Sequence, residues 1–249
     1  MIDTHCHLMD PQFNRDFSQV LSRARGSGIT KIINAGYDVE TSRIAVDMFR
    51  EHDWLMPAVG IHPNEEAAES ILHFQSIQEL ISDIAVTAVG ETGLDYYREP
   101  ASRGAQQELF GLHIDLARAG NLPLLIHTRN SIDDAIRLLE EKKWYRGVFH
   151  CYTGTYEQAK KILDMGYYIG FGGILTFSKQ IREIFLKLPT DRIVLETDAP
   201  FLSPAQHRGQ RNEPAYILET WHAAADLLNM TPEALEKILD GNATTLFSI

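Results

Sequence analysis

Three stretches of this chain place histidines directly at or after short apolar runs. Met1 to His7 carries His5 and His7, Leu122 to Ile126 runs into His127, and Gly147 to Phe149 runs into His150. Two further runs, Val86 to Gly90 and Arg192 to Glu196, deliver the carboxylates Glu91 and Asp198. Imidazoles together with carboxylates make a mixed soft and hard donor set for divalent ions such as zinc, manganese or iron, and one carboxylate can bridge two of them. If Met1 to His7 is a strand, its side chains alternate, so His5 and His7 share a face and Cys6 points the other way. Singly, each residue has an ordinary explanation. His127 or His150 could be a core histidine bonded to a carbonyl, and Glu91 or Asp198 could be ion-paired with Arg129. Ten histidines scattered at random, however, would rarely put four at the ends of apolar runs.

The elements that must position these residues follow from hydrophobic periodicity. Beyond the opening strand, strands are expected over Ile29 to Ala35, Trp54 to Val59, Val86 to Gly90, Leu122 to Ile126, Gly147 to Phe149, Tyr167 to Phe171 and Arg192 to Glu196. Helices are expected over Phe13 to Arg25, Val39 to His52, Ser76 to Ile84, Ala101 to Ala119, Ile132 to Lys143, Tyr156 to Met165 and Lys179 to Leu186, followed by two helices in the tail. Ser131 is the expected N-cap of the helix at Ile132, and Thr231, ahead of Pro232, that of the last. Eight strands each followed by helix predict an α/β protein folded as a single-domain (β/α)8 TIM barrel, in which strand C-termini share one mouth. All six candidate ligands then converge there. A doubly wound sheet is the competing architecture, but it usually has a glycine-rich first turn where this chain has His-x-His.

Composition sets the class. The chain has 249 residues, 44% hydrophobic and 23% charged, with a formal charge of -11. That charge argues against an extended basic face for duplex nucleic acid, while leaving room for a local basic patch. Two cysteines, Cys6 and Cys151, fit a reducing compartment and are expected to be buried thiols. No run is long and apolar enough for a membrane span and the N-terminus lacks the layout of a signal peptide, so no membrane association and a cytoplasmic location are expected. No obligate protein partner is implied.

The local sequences DTHCHL, GIHP, GETGLDYY, IHTR, HCYTG, ETDAPFL and RNEP, in this order from the first residues to the closing helices, resemble the TatD family of metal-dependent deoxyribonucleases in the amidohydrolase superfamily. Carried over position by position, the resemblance implies that His5, His7 and Asp198 hold one divalent metal and His127 and His150 a second, with Glu91 bridging. It leaves the metal open among zinc, manganese, magnesium and iron. Where other superfamily branches use a carbamylated lysine as bridge, this chain has Glu91.

The resemblance also implies a substrate: DNA, as single strands or frayed ends, cleaved at a phosphodiester by an activated water with Asp198 as general base. His62 would meet a phosphate or the leaving oxygen, and Arg129 would neutralise a phosphate unless a carboxylate claims it. Tyr152, with Tyr96 or Tyr97, could stack on a base. The stretch Ala199 to Glu213 reads as a substrate-facing loop with local positive charge, in which Glu213 could instead hold Arg211. Competing functions are hydrolysis of a small ester or amide or of aminoacyl-tRNA, and a barrel kept only for binding.

Overall fold

The computed structural model describes residues 1–65, 67–82, 86–98 and 101–249. Eight parallel strands pair in chain order: β1 (Ile2–Cys6), β2 (Lys31–Ala35), β3 (Leu55–Val59), β4 (Ala88–Asp95), β5 (Leu124–Arg129), β6 (Gly147–Phe149), β7 (Tyr168–Phe171) and β8 (Ile193–Leu195). The ring closes just beyond the ends of β8 and β1. Asp198 N–H donates to the His5 carbonyl at 2.9 Å and His7 N–H to the Ala199 carbonyl at 2.8 Å. Between the strands run the helices α1 (Phe17–Gly26), α2 (Val39–Glu51), α3 (Ala67–Ile81), α4 (Arg103–Gly120), α5 (Ile132–Lys142), α6 (Tyr156–Asp164) and α7 (Lys179–Phe185). The chain closes with α8 (Ile217–Leu228) and α9 (Pro232–Phe247). The architecture is the expected (β/α)8 barrel.

Two apolar layers hold it. Inside the barrel, Ile2, Ile33, Ala58, Ala88, Leu125, Val148, Tyr168 and Val194, one from each strand, pack together, and Leu246 and Phe247 of α9 plug the end away from the strand C-termini. Outside, alternate strand residues meet the helix faces, for example Ile126, Phe149, Ile169 and Leu195 against Phe110, Leu139, Ile162 and Phe185. Cys6 lies in this outer layer, fully buried, as the alternation predicts.

Several boundaries moved. α1 begins four residues later than expected because Asp10 caps a short 3-10 turn at Pro11–Phe13, which takes up the first residues. α3 starts nine residues earlier, at Ala67, while the last two residues expected for it, Asp83 and Ile84, lie outside the described residues. β4 and β5 run on to Asp95 and Arg129, so Glu91 and His127 sit within paired strands rather than after them. Thr231 caps α9, its side chain accepting from Ala234 N–H at 3.3 Å. Ser131 makes no side-chain cap on α5. Its hydroxyl instead donates to the Leu94 carbonyl at 2.6 Å and accepts from Arg129 N–H at 3.1 Å, tying β4 to the end of β5.

Candidate metal centre

The six candidate ligands meet at the mouth. β5 and β6 place theirs by simple alternation: Leu125 faces the barrel interior, hence His127 does, and Val148 likewise sets His150. β1 and β4 need more. Ile2 and Ala88 face inward, yet so do His5 and Glu91, three residues on, which a period of two forbids. In each strand the pairing register shifts at that point, between Asp3 and Cys6 and between Val89 and Thr92, and such irregularities re-aim side chains next to active sites. The shift in β4 is packed tightly. A Cβ on Gly60 of β3's exit would lie 2.8 Å from the Gly90 backbone, and one on Gly93 would lie 2.0 Å from the His127 carbonyl. Only glycine permits either approach. Asp198 follows β8 with φ at +57°, a left-handed conformation that non-glycine residues adopt at a cost.

Glu91 lies at the centre of the cluster. Its Oε2 is 3.4 Å from His5 Nε2 and 3.2 Å from His7 Nε2. Its Oε1 is 2.9 Å from both His127 Nδ1 and His150 Nε2, and 3.5 Å from His62 Nε2. One oxygen therefore faces each pair of imidazoles. Asp198 Oδ1 stands 3.7 Å from His5 Nε2 and 3.5 Å from His7 Nε2, while those two nitrogens are only 3.1 Å apart. Imidazole lone pairs aimed at each other and at two buried carboxylates repel unless a cation or shared protons lie between them. The donor atoms close into three groups compatible with a metal ion: His5, His7 and Glu91; His5, His150 and Asp198; and His62, Glu91 and His127. Borderline divalent ions fit this set.

Protonation follows the same logic. Burial opposes a charge on His7, but its hydrogen bonds to Asp198 and Glu91 win and push its pKa up to about 10. His150 is likewise held well above the usual histidine range by Glu91 and Glu196 against its burial. Glu91, although buried, is kept well below the carboxylate range by the charge of His150 and the hydrogen bond with His127. His62 differs. Burial among these groups drives its pKa down to about 3, so it is a neutral donor or acceptor at the edge of the cluster.

Around the ligands sits a supporting shell that the sequence reading did not assign. His7 Nδ1 donates to the Ala35 carbonyl at 2.7 Å, fixing its tautomer so that Nε2 is free for the site. Asp95 Oδ2 is 3.4 Å from His127 Nε2 and accepts from Asn64 at 3.1 Å, and Glu196 Oε1 is 3.6 Å from His150 Nδ1. Histidine ligands are oriented by carboxylates placed as Asp95 is, whereas Glu196 Oε1 accepts from Cys151 N–H. Asp95 lies four residues beyond Glu91 and Glu196 two before Asp198, so proximity to a ligand was the available signal. His113, a histidine of the helical stretch after β4, supports the site from outside the cluster. It is buried on α4 and accepts from Ile61 N–H at 3.0 Å, fastening the turn that presents His62.

The outlying expectations divide. His62 stands in the cluster. Arg129 takes no carboxylate among the described residues. Its guanidinium lies 3.8 Å over the ring of Tyr97, which is 64% exposed. Tyr152 is a correction, because its ring is 1% exposed and its hydroxyl donates to the Thr155 carbonyl at 2.5 Å, leaving no face for a base. The cause is local: Cys151 adopts φ of +45°, turning the chain so that Tyr152 packs beside Phe171 in the outer layer. Tyr96 is also buried, its hydroxyl donating to Asp134 at 2.9 Å. Cys151 is half-buried rather than fully buried. Arg211 is engaged by Asp16 at 2.7 and 2.8 Å, and Glu213 chiefly by Arg23 at 2.7 and 2.6 Å. Arg211 thus anchors its loop onto the start of α1.

A (β/α)8 barrel with a buried carboxylate between two sets of imidazoles defines a class of divalent-metal protein. Within that class, residues 2–248 match the family described as TatD related DNase. Over the whole chain and 99% of the relative, it is 36% identical to an uncharacterized metal-dependent hydrolase, YabD, of Bacillus subtilis strain 168. It is 31% identical, over the whole chain and 98% of the relative, to the 3'-5' ssDNA/RNA exonuclease TatD of Klebsiella pneumoniae strain 342. Among solved structures, the TatD homologue YJJV of Escherichia coli K12 superposes with a TM-score of 0.94 at 30% identity, covering all of this chain and 98% of that one. The chain belongs to the TatD-related DNase family, and it is a metal-dependent hydrolase by family and by donor set.

Proposed function

We propose that this hydrolase is a deoxyribonuclease that cuts phosphodiester bonds in DNA from strand ends, using two divalent ions. The observation that carries the reading is the placement of Glu91, one oxygen toward His5 and His7 and the other toward His127 and His150. In the proposed arrangement His5, His7 and Asp198 hold one ion, His127 and His150 the other, and Glu91 both. Bound there, the ions would supply a water of lowered pKa and polarise the phosphoryl oxygen under attack.

The chain's own residues do the rest. Asp198 orients the attacking water and takes its proton, being buried, held low in pKa against its burial by His7 and His150, and beside the reacting centre. Neutral His62 meets the phosphate or leaving oxygen, and Arg129, which meets no carboxylate among the described residues, neutralises a phosphate oxygen. A recessed mouth on a protein of charge -11 suits a strand end better than continuous duplex. The name of the Klebsiella relative, an exonuclease on single strands, supports the same substrate.

The test is digestion of a 3'-labelled single strand and its duplex by protein loaded in turn with zinc, manganese, magnesium and iron, beside a panel of esters, lactones and aminoacyl-tRNA. Metal-dependent shortening of the single strand is expected. Turnover confined to the esters or the aminoacyl-tRNA would overturn the assignment.

A further inference from the structure

Among the described residues, seven large hydrophobic side chains are markedly exposed, and four of them, Tyr97, Phe177, Phe201 and Leu202, sit on loops at the mouth. Burial normally removes such surface, so a concentration of it around a charged site needs an occupant. Two of these exposed aromatics each lie under a guanidinium. The Arg129 guanidinium lies 3.8 Å over the Tyr97 ring, and that of Arg208 lies 4.5 Å over the Phe177 ring, which is 43% exposed. Arg23, Arg118, Arg137 and Arg211 are taken by carboxylates. These two are not.

Both pairs are built on fixed parts of the fold. Asp95, the carboxylate beside His127, accepts from Tyr97 N–H at 2.9 Å, and Asp95 and Arg129 are paired residues of β4 and β5. Phe177 ends the 3-10 turn after β7, and Thr176 in that turn accepts from Ala205 N–H at 2.8 Å, joining it to the loop that carries Arg208. The order of strands puts the β4 and β8 exits on opposite sides of the ring. On the segment leaving β8, Phe201 sets its ring 6.0 Å from that of His7.

We infer that Tyr97 with Arg129, and Phe177 with Arg208, are two base-stacking stations on opposite rims that hold a single-stranded nucleic acid across the mouth, its backbone over the metal centre. The chemistry is complementary. A ring offers its exposed area to a base, and the guanidinium adds charge for the adjoining phosphate. In a duplex both faces of each base are already covered by neighbours, so such stations select unpaired strands without reading sequence. The inference rests on the nuclease reading for its substrate.

The test uses the metal-loaded protein and two fluorescein-labelled 12-mers of equal charge, one with bases and one with abasic residues throughout. Binding is measured by anisotropy on phosphorothioate versions, and cleavage on the ordinary ones. Unaltered protein is expected to prefer the base-bearing strand. In Y97A and in F177A that preference should fall about tenfold each, the effect of losing one stacked base, and Y97W should restore it. No preference in the unaltered protein, or an undiminished preference in both alanine variants, would overturn the stations. Base-selective binding without cleavage of either strand would leave the stations standing and remove the nuclease reading. Cleavage without base preference would do the reverse.

Discussion

Asp198 combines two demands on one carboxylate, standing 3.5 Å from His7 Nε2 while occupying a left-handed backbone conformation after β8. If it takes the proton of the attacking water, Asp198→Asn should fold and lose turnover by about a hundredfold or more, since general bases contribute on that scale. Metal content measured on the same sample separates the roles, because an inactive variant that keeps its metal has lost the base alone. A near-normal rate would remove Asp198 from proton transfer. Cys6 and its neighbours test the strand face directly. The Cys6 thiol is fully buried in the outer layer, 3.5 Å from the Ala199 carbonyl that accepts its weak hydrogen bond. Cys6→Ser should therefore keep its metal in elemental analysis, whereas His5→Ala and His7→Ala should each lose it. Retention by both alanine variants would mean that β1 does not contribute ligands.

At the scale of elements, α4 supports the exit of β3. His113 receives Ile61 N–H on Nε2 and donates from Nδ1 to the Leu109 carbonyl at 2.8 Å, so the structure requires its neutral form. Burial lowers its pKa from 6.5 to about 4. Because the folded pKa is depressed, the unfolded chain takes up the proton first on acidification. The contribution is present above pH 6.5 and is lost as pH falls toward 4. Between pH 7 and pH 5 this amounts to about 2 kcal/mol of stability. Urea unfolding at the two pH values should show a loss smaller by about that amount in His113→Gln, whose side chain does not titrate. Parallel losses in the two proteins would show that His113 is not a neutral strut. The same strut holds the turn that offers His62, so the variant should also alter substrate affinity more than the fold.

For the whole molecule, eight strand ends bring a buried set of lone pairs and carboxylates to one place, and the folded state alone presents that set. A ligand that binds only the native protein stabilises it by about 2.7 kcal/mol at a hundred times its dissociation constant. For a chain of this size that corresponds to a rise in melting temperature of about 5–10 °C. Calorimetry before and after chelation should show a drop of this size, reversed by adding back the ion. Identical melting temperatures would mean that the cluster holds no metal in the native state. The formal charge of -11 makes the placement of Arg129 and Arg208 at the mouth a local exception rather than part of a basic face.

Ligand types, their order and the barrel were legible in the chain because they rest on local regularities: apolar runs of strand length, amphipathic stretches between them, and the rule that parallel barrel strands end together. His127 and His150 took the faces that alternation along their strands assigns, and His5, Cys6 and His7 alternate with one another as expected. That Ile2 and Ala88 face inward along with His5 and Glu91 did not follow from it, since this depends on register shifts that only pairing with β2 and β5 creates. Asp95, Glu196 and His113 acquired their roles from partners distant in sequence, such as the 52 residues separating His113 from Ile61. Tyr152 went to the core, and Arg211 to Asp16, through a positive φ at Cys151 and an ion pair across 195 residues. Periodicity carries which residues can do chemistry and in what order. Where each one points is decided by the backbone irregularities and long-range contacts that exist only once the ring has closed.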